Sequence, residues 1–256
     1  TTYTVTGTDA NGCSNTDTVR VTVSPVLSLT ASPAVICSGQ SATLTVSGAA
    51  TYAWGPATGL SATTGSSVAA TPTTSTTYTV TGTDAGACTS TASITVTVNN
   101  LPAVTSSGNI SICDGASTLL SASGATSYAW TPATGLSATT VSPVTSTPTL
   151  NTTYTVTGTD ANGCSNTASL TVAIDPSPTI TVSANISICP GATTKLWANG
   201  AVIYSWSPAA TLSPTSGDTV TASPAVTTTY TVTGTNATGC TDTAVVTVTV
   251  SPSLTL

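Results

Sequence analysis

Apolar and polar residues alternate one for one along short stretches of this chain. Thr43-Leu44-Thr45-Val46, Tyr78-Thr79-Val80-Thr81 and Ile94-Thr95-Val96-Thr97-Val98 place an apolar side chain at every second position, with threonine between. Successive side chains of a pleated strand point to opposite faces, so a period of two builds one apolar and one polar face. Apolar spacing of three and four, the mark of an amphipathic helix, appears nowhere. Threonine suits the polar face without charge, because its β-branched side chain is compatible with extended backbone. Clusters of Gly, Pro, Ser and Asn-Gly divide the runs and supply turns. Across residues 25–100 the pattern predicts six or seven strands: A near 27–32, B 41–47, C 51–54, E near 67–72, F 77–83 and G 91–98, with an irregular stretch over 55–65. The expected fold is an all-β sandwich of about 75 residues.

The pattern repeats. Tyr-Thr-Val-Thr-Gly-Thr begins at Tyr3, Tyr78, Tyr154 and Tyr230, in steps of 75, 76 and 76, and residues 2–16 are identical to residues 153–167. Trp54, Trp130 and Trp206 step by 76, and the cysteines keep the same beat. Counting from Pro25, Pro102 and Pro178 gives three complete modules, 25–100, 101–176 and 177–252. Residues 1–24 match only strands F and G of a module, and 253–256 match the start of another, so the expectation is a window on a longer tandem array. An isolated two-stranded tail would leave apolar edges unpaired, and another chain could also complete it. Linkers are short and proline-bearing, with Pro102 after the first module and Pro176 and Pro178 after the second, which predicts semi-rigid connections.

Composition narrows the chemistry. Eight carboxylates, all Asp, face one Lys and one Arg, and there is no His, Glu, Met or Phe. Histidine-based triads, dyads and metal sites are therefore excluded, and no catalytic or cofactor-binding residue is expected. Two cations cannot neutralise a run of phosphates, so nucleic acid is not an expected partner. No apolar run approaches the 18 or so residues of a membrane span. Lys195 is the only lysine, so a lysine-based isopeptide crosslink in each module is excluded as well.

Seven cysteines at repeat spacing, without metal partners, read as disulfides formed outside the cytoplasm. Pairing within a module would join Cys37 to Cys88, Cys113 to Cys164 and Cys189 to Cys240, leaving Cys13 to the missing part of its own repeat. This is the favoured arrangement, since a module that folds anywhere in an array profits from its own staple. Two others stay open. Cysteines adjacent in sequence, such as Cys88 and Cys113, could pair over a path of about 25 residues. Alternatively, with an odd number of strands the turns before B and before G lie at opposite ends of the sandwich. Cys37 would then face Cys164 across a domain junction, and Cys113 would meet Cys240. Either way, closing such a loop stabilises by roughly 3–5 kcal/mol in the chain-entropy picture. Trp54, Trp130 and Trp206 on strand C and Tyr78, Tyr154 and Tyr230 at the head of strand F are the expected core aromatics, the tyrosines with hydroxyls tied to backbone.

The run YAWGPATGLSATT, then VAATPTTSTTYTVTGTDAGAC, then a Thr-alternating strand resembles the PKD-like and immunoglobulin-like repeats of giant secreted surface proteins of Bacteroidota. ICSG, ICDG and ICPG at Ile36, Ile112 and Ile188 look like the element before strand B of those repeats, and TDANGC at Thr8 and Thr159 like the one after strand F. The likeness covers the whole chain, although Trp-Gly-Pro, Trp-Thr-Pro and Trp-Ser-Pro replace the WxFGDG of a standard PKD motif. It implies Ig-like sandwiches in an extracellular adhesin or filament stalk at a bacterial cell surface. It also implies Asp-Thr-apolar sites of O-glycosylation at Thr18, Thr219 and Thr243.

Weaker signals remain. Asp9, Asp84 and Asp160, with Asn236 in the fourth place, suit an Asx-turn better than calcium, which needs several carboxylates. The N-x-S/T sequences at Asn109, Asn151, Asn185 and Asn236 are expected by chance in so Thr-rich a chain. Trp197 and Lys195 share the outward face of strand B and form a candidate interface or sugar-stacking spot, against the plainer expectation of a surface indole packed on a loop. The favoured reading is a non-enzymatic structural protein, a stiff extracellular stalk or filament. Its partners would be neighbouring repeats, identical chains or surface glycans. The alternatives are a glycan- or protein-binding array and a non-catalytic spacer of a secreted enzyme.

Overall fold

The computed structural model describes residues 1–23 and 28–252. Pro25, the first residue of expected strand A (Leu27) and the repeat start at 253–256 lie outside them. Among the described residues every regular element is a strand, and the chain forms two compact units, residues 1–102 with 160–164, and residues 103–159 with 165–256.

The first unit opens with β1 (Thr2–Thr8) and β2 (Ser14–Arg20), an antiparallel pair that is a two-stranded sheet by itself. A sandwich follows, formed by β3 (Thr30–Ala31), β4 (Ala34–Cys37), β5 (Ala42–Ser47), β6 (Thr51–Gly55), β7 (Ser67–Ala70), β8 (Thr76–Thr83) and β9 (Thr89–Asn99). One sheet runs β4-β9-β8-β6 and the other β3-β5-β7. Strand A is thus two pieces. Pro33, which lacks an N–H for a ladder, separates β3 from β4, and the chain changes sheets there to pair β4 parallel with β9. The sequence pattern showed no β4, because Ala34-Val35-Ile36-Cys37 has no threonine alternation.

In the second unit one sandwich comprises β10 (Thr105–Ser106), β11 (Ile110–Cys113), β12 (Thr118–Leu120), β13 (Ala122–Ser123), β14 (Ser127–Thr131), β15 (Val144–Ser146), β16 (Thr152–Thr159) and β17 (Ser165–Asp175). The next comprises β18 (Thr181–Val182), β19 (Ile186–Ile188), β20 (Thr194–Asn199), β21 (Ile203–Ser207), β22 (Leu212–Ser213), β23 (Thr219–Ala222), β24 (Thr228–Thr235) and β25 (Thr241–Val250). Their four-stranded sheets, β11-β17-β16-β14 and β19-β25-β24-β21, repeat the order of the first sandwich. The fold is a series of Ig-like β-sandwiches.

Register explains the threonine code. Tyr78 lies opposite Ile94 and Tyr154 opposite Leu170, facing inward, while Thr77 lies opposite Thr95 and Thr153 opposite Thr171, facing out with their hydroxyls 3.0 and 2.9 Å apart. Each inward Leu, Ile or Val contributes roughly 1.5–3 kcal/mol by leaving water. The glycine of Tyr-Thr-Val-Thr-Gly-Thr is needed for close approach. A Cβ on Gly82, Gly158 or Gly234 would stand 2.8, 2.7 or 2.8 Å from the Cβ of Ala49, Ala125 or Ala201. Among the described residues one buried side-chain hydroxyl has no partner: Ser146, at the place that Ala70 and Ala222 hold in the other sandwiches.

Candidate functional site

Two kinds of turn present the cysteines. The first follows β4, β11 and β19, where Gln40 N–H donates to the Cys37 carbonyl at 2.9 Å, Ala116 to that of Cys113 at 2.9 Å and Ala192 to that of Cys189 at 3.0 Å. Gly39, Gly115 and Gly191 supply the positive φ these turns require. The second is the tip of each F–G hairpin. There the Oδ1 of Asp9, Asp84, Asp160 or Asn236 accepts the N–H of Cys13, Cys88, Cys164 or Cys240, at 2.8–2.9 Å, and a second N–H two residues on. These are Asx-turns, with the carboxylate or amide consumed by backbone.

The structure pairs the two kinds of turn from successive modules. Cys37 is bonded to Cys164 and Cys113 to Cys240, with Cα atoms 5.6 and 5.5 Å apart, and each bridge spans 127 residues. Cys13, Cys88 and Cys189 are free and exposed. This corrects the favoured intradomain pairing of Cys37 with Cys88, Cys113 with Cys164 and Cys189 with Cys240, and equally the pairing of Cys88 with Cys113. The reason is the parallel contact of β4 with β9. It sets Cys37 opposite Asn99, the last residue of β9, whereas Cys88 precedes its first. Eleven residues of strand separate them, about 35 Å at strand rise, and a disulfide tolerates about 7 Å between Cα atoms. Cys113 opposite Asp175 at the end of β17 repeats the arrangement.

Within the second unit the hairpin tip of the last sandwich meets the chain that leaves the one before. Asn236 Nδ2 donates to the Pro176 carbonyl at 2.9 Å, and Cys240 Sγ lies 3.6 Å from the Asp175 carbonyl oxygen. Cys164 and Cys240 are each 1% exposed.

The aromatic residues hold the sandwiches that carry these turns. Trp54, Trp130 and Trp206 are buried and donate Nε1–H to the carbonyls of Gly65, Val141 and Gly217, pinning the irregular stretch after strand C. The hydroxyls of Tyr78 and Tyr154 donate to the Thr58 and Thr134 carbonyls, and Tyr230 pairs with the Thr211 hydroxyl. Burial raises the Tyr78 hydroxyl above its ordinary pKa. A second set went unread in the sequence: Tyr52, Tyr128 and Tyr204, whose hydroxyls both donate to and accept from the backbone of Ala49, Ala125 and Ala201. Their 76-residue spacing was the available signal.

Other candidate residues are dispersed. Lys195 and Trp197 are exposed on β20, and Thr18, Thr219 and Thr243 are exposed on β2, β23 and β25. The Oδ1 atoms of Asn109, Asn185 and Asn151 accept backbone N–H groups of Thr171, Thr247 and Ile174, so these asparagines serve the sheets. Among the described residues no three His, Cys, Asp or Glu gather as a metal-binding group.

No protein-family model matches this sequence, and no curated protein matches it. Solved structures with a comparable arrangement include the N-terminal eight Ig domains of Down Syndrome Cell Adhesion Molecule, at 11% identity and TM-score 0.41 over 98% of this chain. The chain spans 40% of that fragment's length. They also include a Ca2+-stabilized adhesin with which an Antarctic bacterium binds ice, at 14% identity and TM-score 0.39, covering 97% of this chain and 80% of that one. The I9-I11 tandem of titin matches at 14% identity and TM-score 0.34, covering 87% and 99%. Scores this low leave the roles of those proteins without bearing on this one.

Proposed function

We propose that this chain is an extracellular, non-catalytic structural array, a stalk or filament segment at a bacterial cell surface, built from the modules 25–100, 101–176 and 177–252. The observation that carries this reading is the direction of its bridges. Two cystines that each tie one module to the next restrict motion at the junction. Within the chain-entropy picture a loop of this length contributes about 5 kcal/mol against unfolding, shared by the two modules it runs through. Outward faces of Thr, Ser and Ala offer few of the aromatic and arginine side chains that dominate binding hot spots, which favours a spacer over a receptor. Exposed Thr18, Thr219 and Thr243 are open to glycosylation of the Asp-Thr-apolar type, and exposed Trp197 beside Lys195 suits a glycan or a lateral copy.

Small-angle scattering of the oxidised chain and of a Cys37→Ala/Cys113→Ala variant tests the reading. The oxidised chain should give one narrow distance distribution and the variant a broader one with the strands intact. Equal distributions, or robust binding to a glycan array by the isolated chain, would overturn the spacer assignment.

A further inference from the structure

The three free cysteines sit in turns already built for bridging. Cys189 comes directly after β19 and Cys37 ends β4, and each opens the same carbonyl-to-amide turn with a positive-φ glycine two residues on. Cys13 and Cys88 occupy hairpin tips closed by the same Asx hydrogen bonds that present Cys164 and Cys240. Both formed bridges span 127 residues and pair a turn after strand A with a hairpin tip one module later. Resting on the junction reading above, we propose that Cys189 and Cys88 are half-sites of a continuing ladder. Cys189 takes the F–G hairpin tip of a further repeat in the same chain, of sequence Asp/Asn-x-x-Gly-Cys. Cys88 and Cys13 are tips that the post-A turns of other repeats receive.

The two bonded tips indicate the partner's chemistry. Each tip cysteine is almost wholly buried where it is bridged and exposed where it is not. At the last junction the tip also offers Asn236 Nδ2 to the backbone carbonyl of the preceding module's exit, Pro176. The partner of Cys189 is therefore a polar hairpin tip that buries one thiol and, where the tip carries Asn, donates a side-chain N–H to the backbone of the preceding module's exit. Closing the bridge forms one S–S bond from two thiols. Two protons and two electrons pass to a small-molecule or protein disulfide, which is reduced to two thiols.

A ladder of this kind has a mechanical consequence. From Cys164 the next post-A cysteine, Cys189, is 25 residues on, a reach of roughly 85 Å when extended. A bridge at Cys189 would let tension pass from one cystine along strand G, the linker and strand A to another. Residues 38–163, between the two halves of the Cys37–Cys164 bridge, would then lie off that covalent route.

The test extends residues 1–252 with a second copy of residues 177–252, the appended copy carrying Asp242→Glu as a mass tag. After refolding in reduced and oxidised glutathione, thiols are counted with maleimide and cystines are mapped without reduction. The expected result is three thiols, Cys189 protected and linked to the tagged hairpin cysteine. Five thiols with Cys189 free, Cys189 linked elsewhere, or disulfide-linked dimers in place of the internal bridge would overturn the proposal. Loss of the Cys37–Cys164 and Cys113–Cys240 bridges would instead overturn the junction reading, so the two failures are distinguishable.

Discussion

Residues 2–16 and residues 153–167 are the same fifteen amino acids, and among the described residues only the second copy has a sandwich packed against it. Both form an antiparallel hairpin with one register: Tyr3 lies opposite Val19, Val5 opposite Asp17, Tyr154 opposite Leu170 and Val156 opposite Ala168. Both close with the same Asx-turn. Yet Tyr3 and Val5 are 56% and 66% exposed, while Tyr154 and Val156 are 0%. Cys13 is a free thiol and Cys164 a bridged, buried half-cystine. Local sequence therefore makes the hairpin. Its core and its stability come from the strands against which it lies, and its redox state from whether a turn of the preceding module meets its tip.

The sharpest way to break this comparison is to truncate the paired tyrosines. Tyr154→Ala should cost about 4 kcal/mol and lower the melting temperature of its sandwich, because it leaves a large cavity and frees the Thr134 carbonyl. Tyr3→Ala should stay within about 0.5 kcal/mol. Equal effects in thermal melts would mean that the β1–β2 hairpin packs in solution as its twin does.

The glycines give a second contrast. Gly158→Ala drives a methyl to within 2.7 Å of Ala125 Cβ and should cost about 1–3 kcal/mol by overpacking, whereas Gly7 has open space around it and Gly7→Ala should be near neutral. Urea titration of each variant reads the difference.

Smaller effects sharpen the picture. Ala87 stands at φ +63 where the other three hairpin tips have glycine, so Ala87→Gly should stabilise the first sandwich by about 1 kcal/mol. Ser146→Ala removes a buried hydroxyl without a partner and should add about 1 kcal/mol or less to the second. A fall in the midpoint of unfolding for either would contradict the local account.

Much of the fold was legible. Thr-apolar alternation located β5, β8 and β9 nearly to the residue, and the period of the tryptophans and tyrosines located the buried aromatics of each sandwich. The split of strand A was not legible. Pairing β4 parallel with β9 is a choice between sheets, which Pro33 permits and only the packed sandwich decides. That one pairing also decided the cystines, since it carries Cys37 to the far end of β9 from Cys88. Spacing alone, 51 residues within a module against 127 between modules, could not rank the alternatives.

The sequence by itself determined that this is a repeated all-β chain, that its outward surface is threonine rather than charge, and that its cysteines recur in two fixed turns. Tertiary structure decided which turns meet. Alternation and turn chemistry act over two to five residues and travel with any copy of the repeat. A disulfide, or a buried tyrosine, needs groups brought within a few ångströms from more than a hundred or a few dozen residues away, and sheet pairing alone fixes those distances.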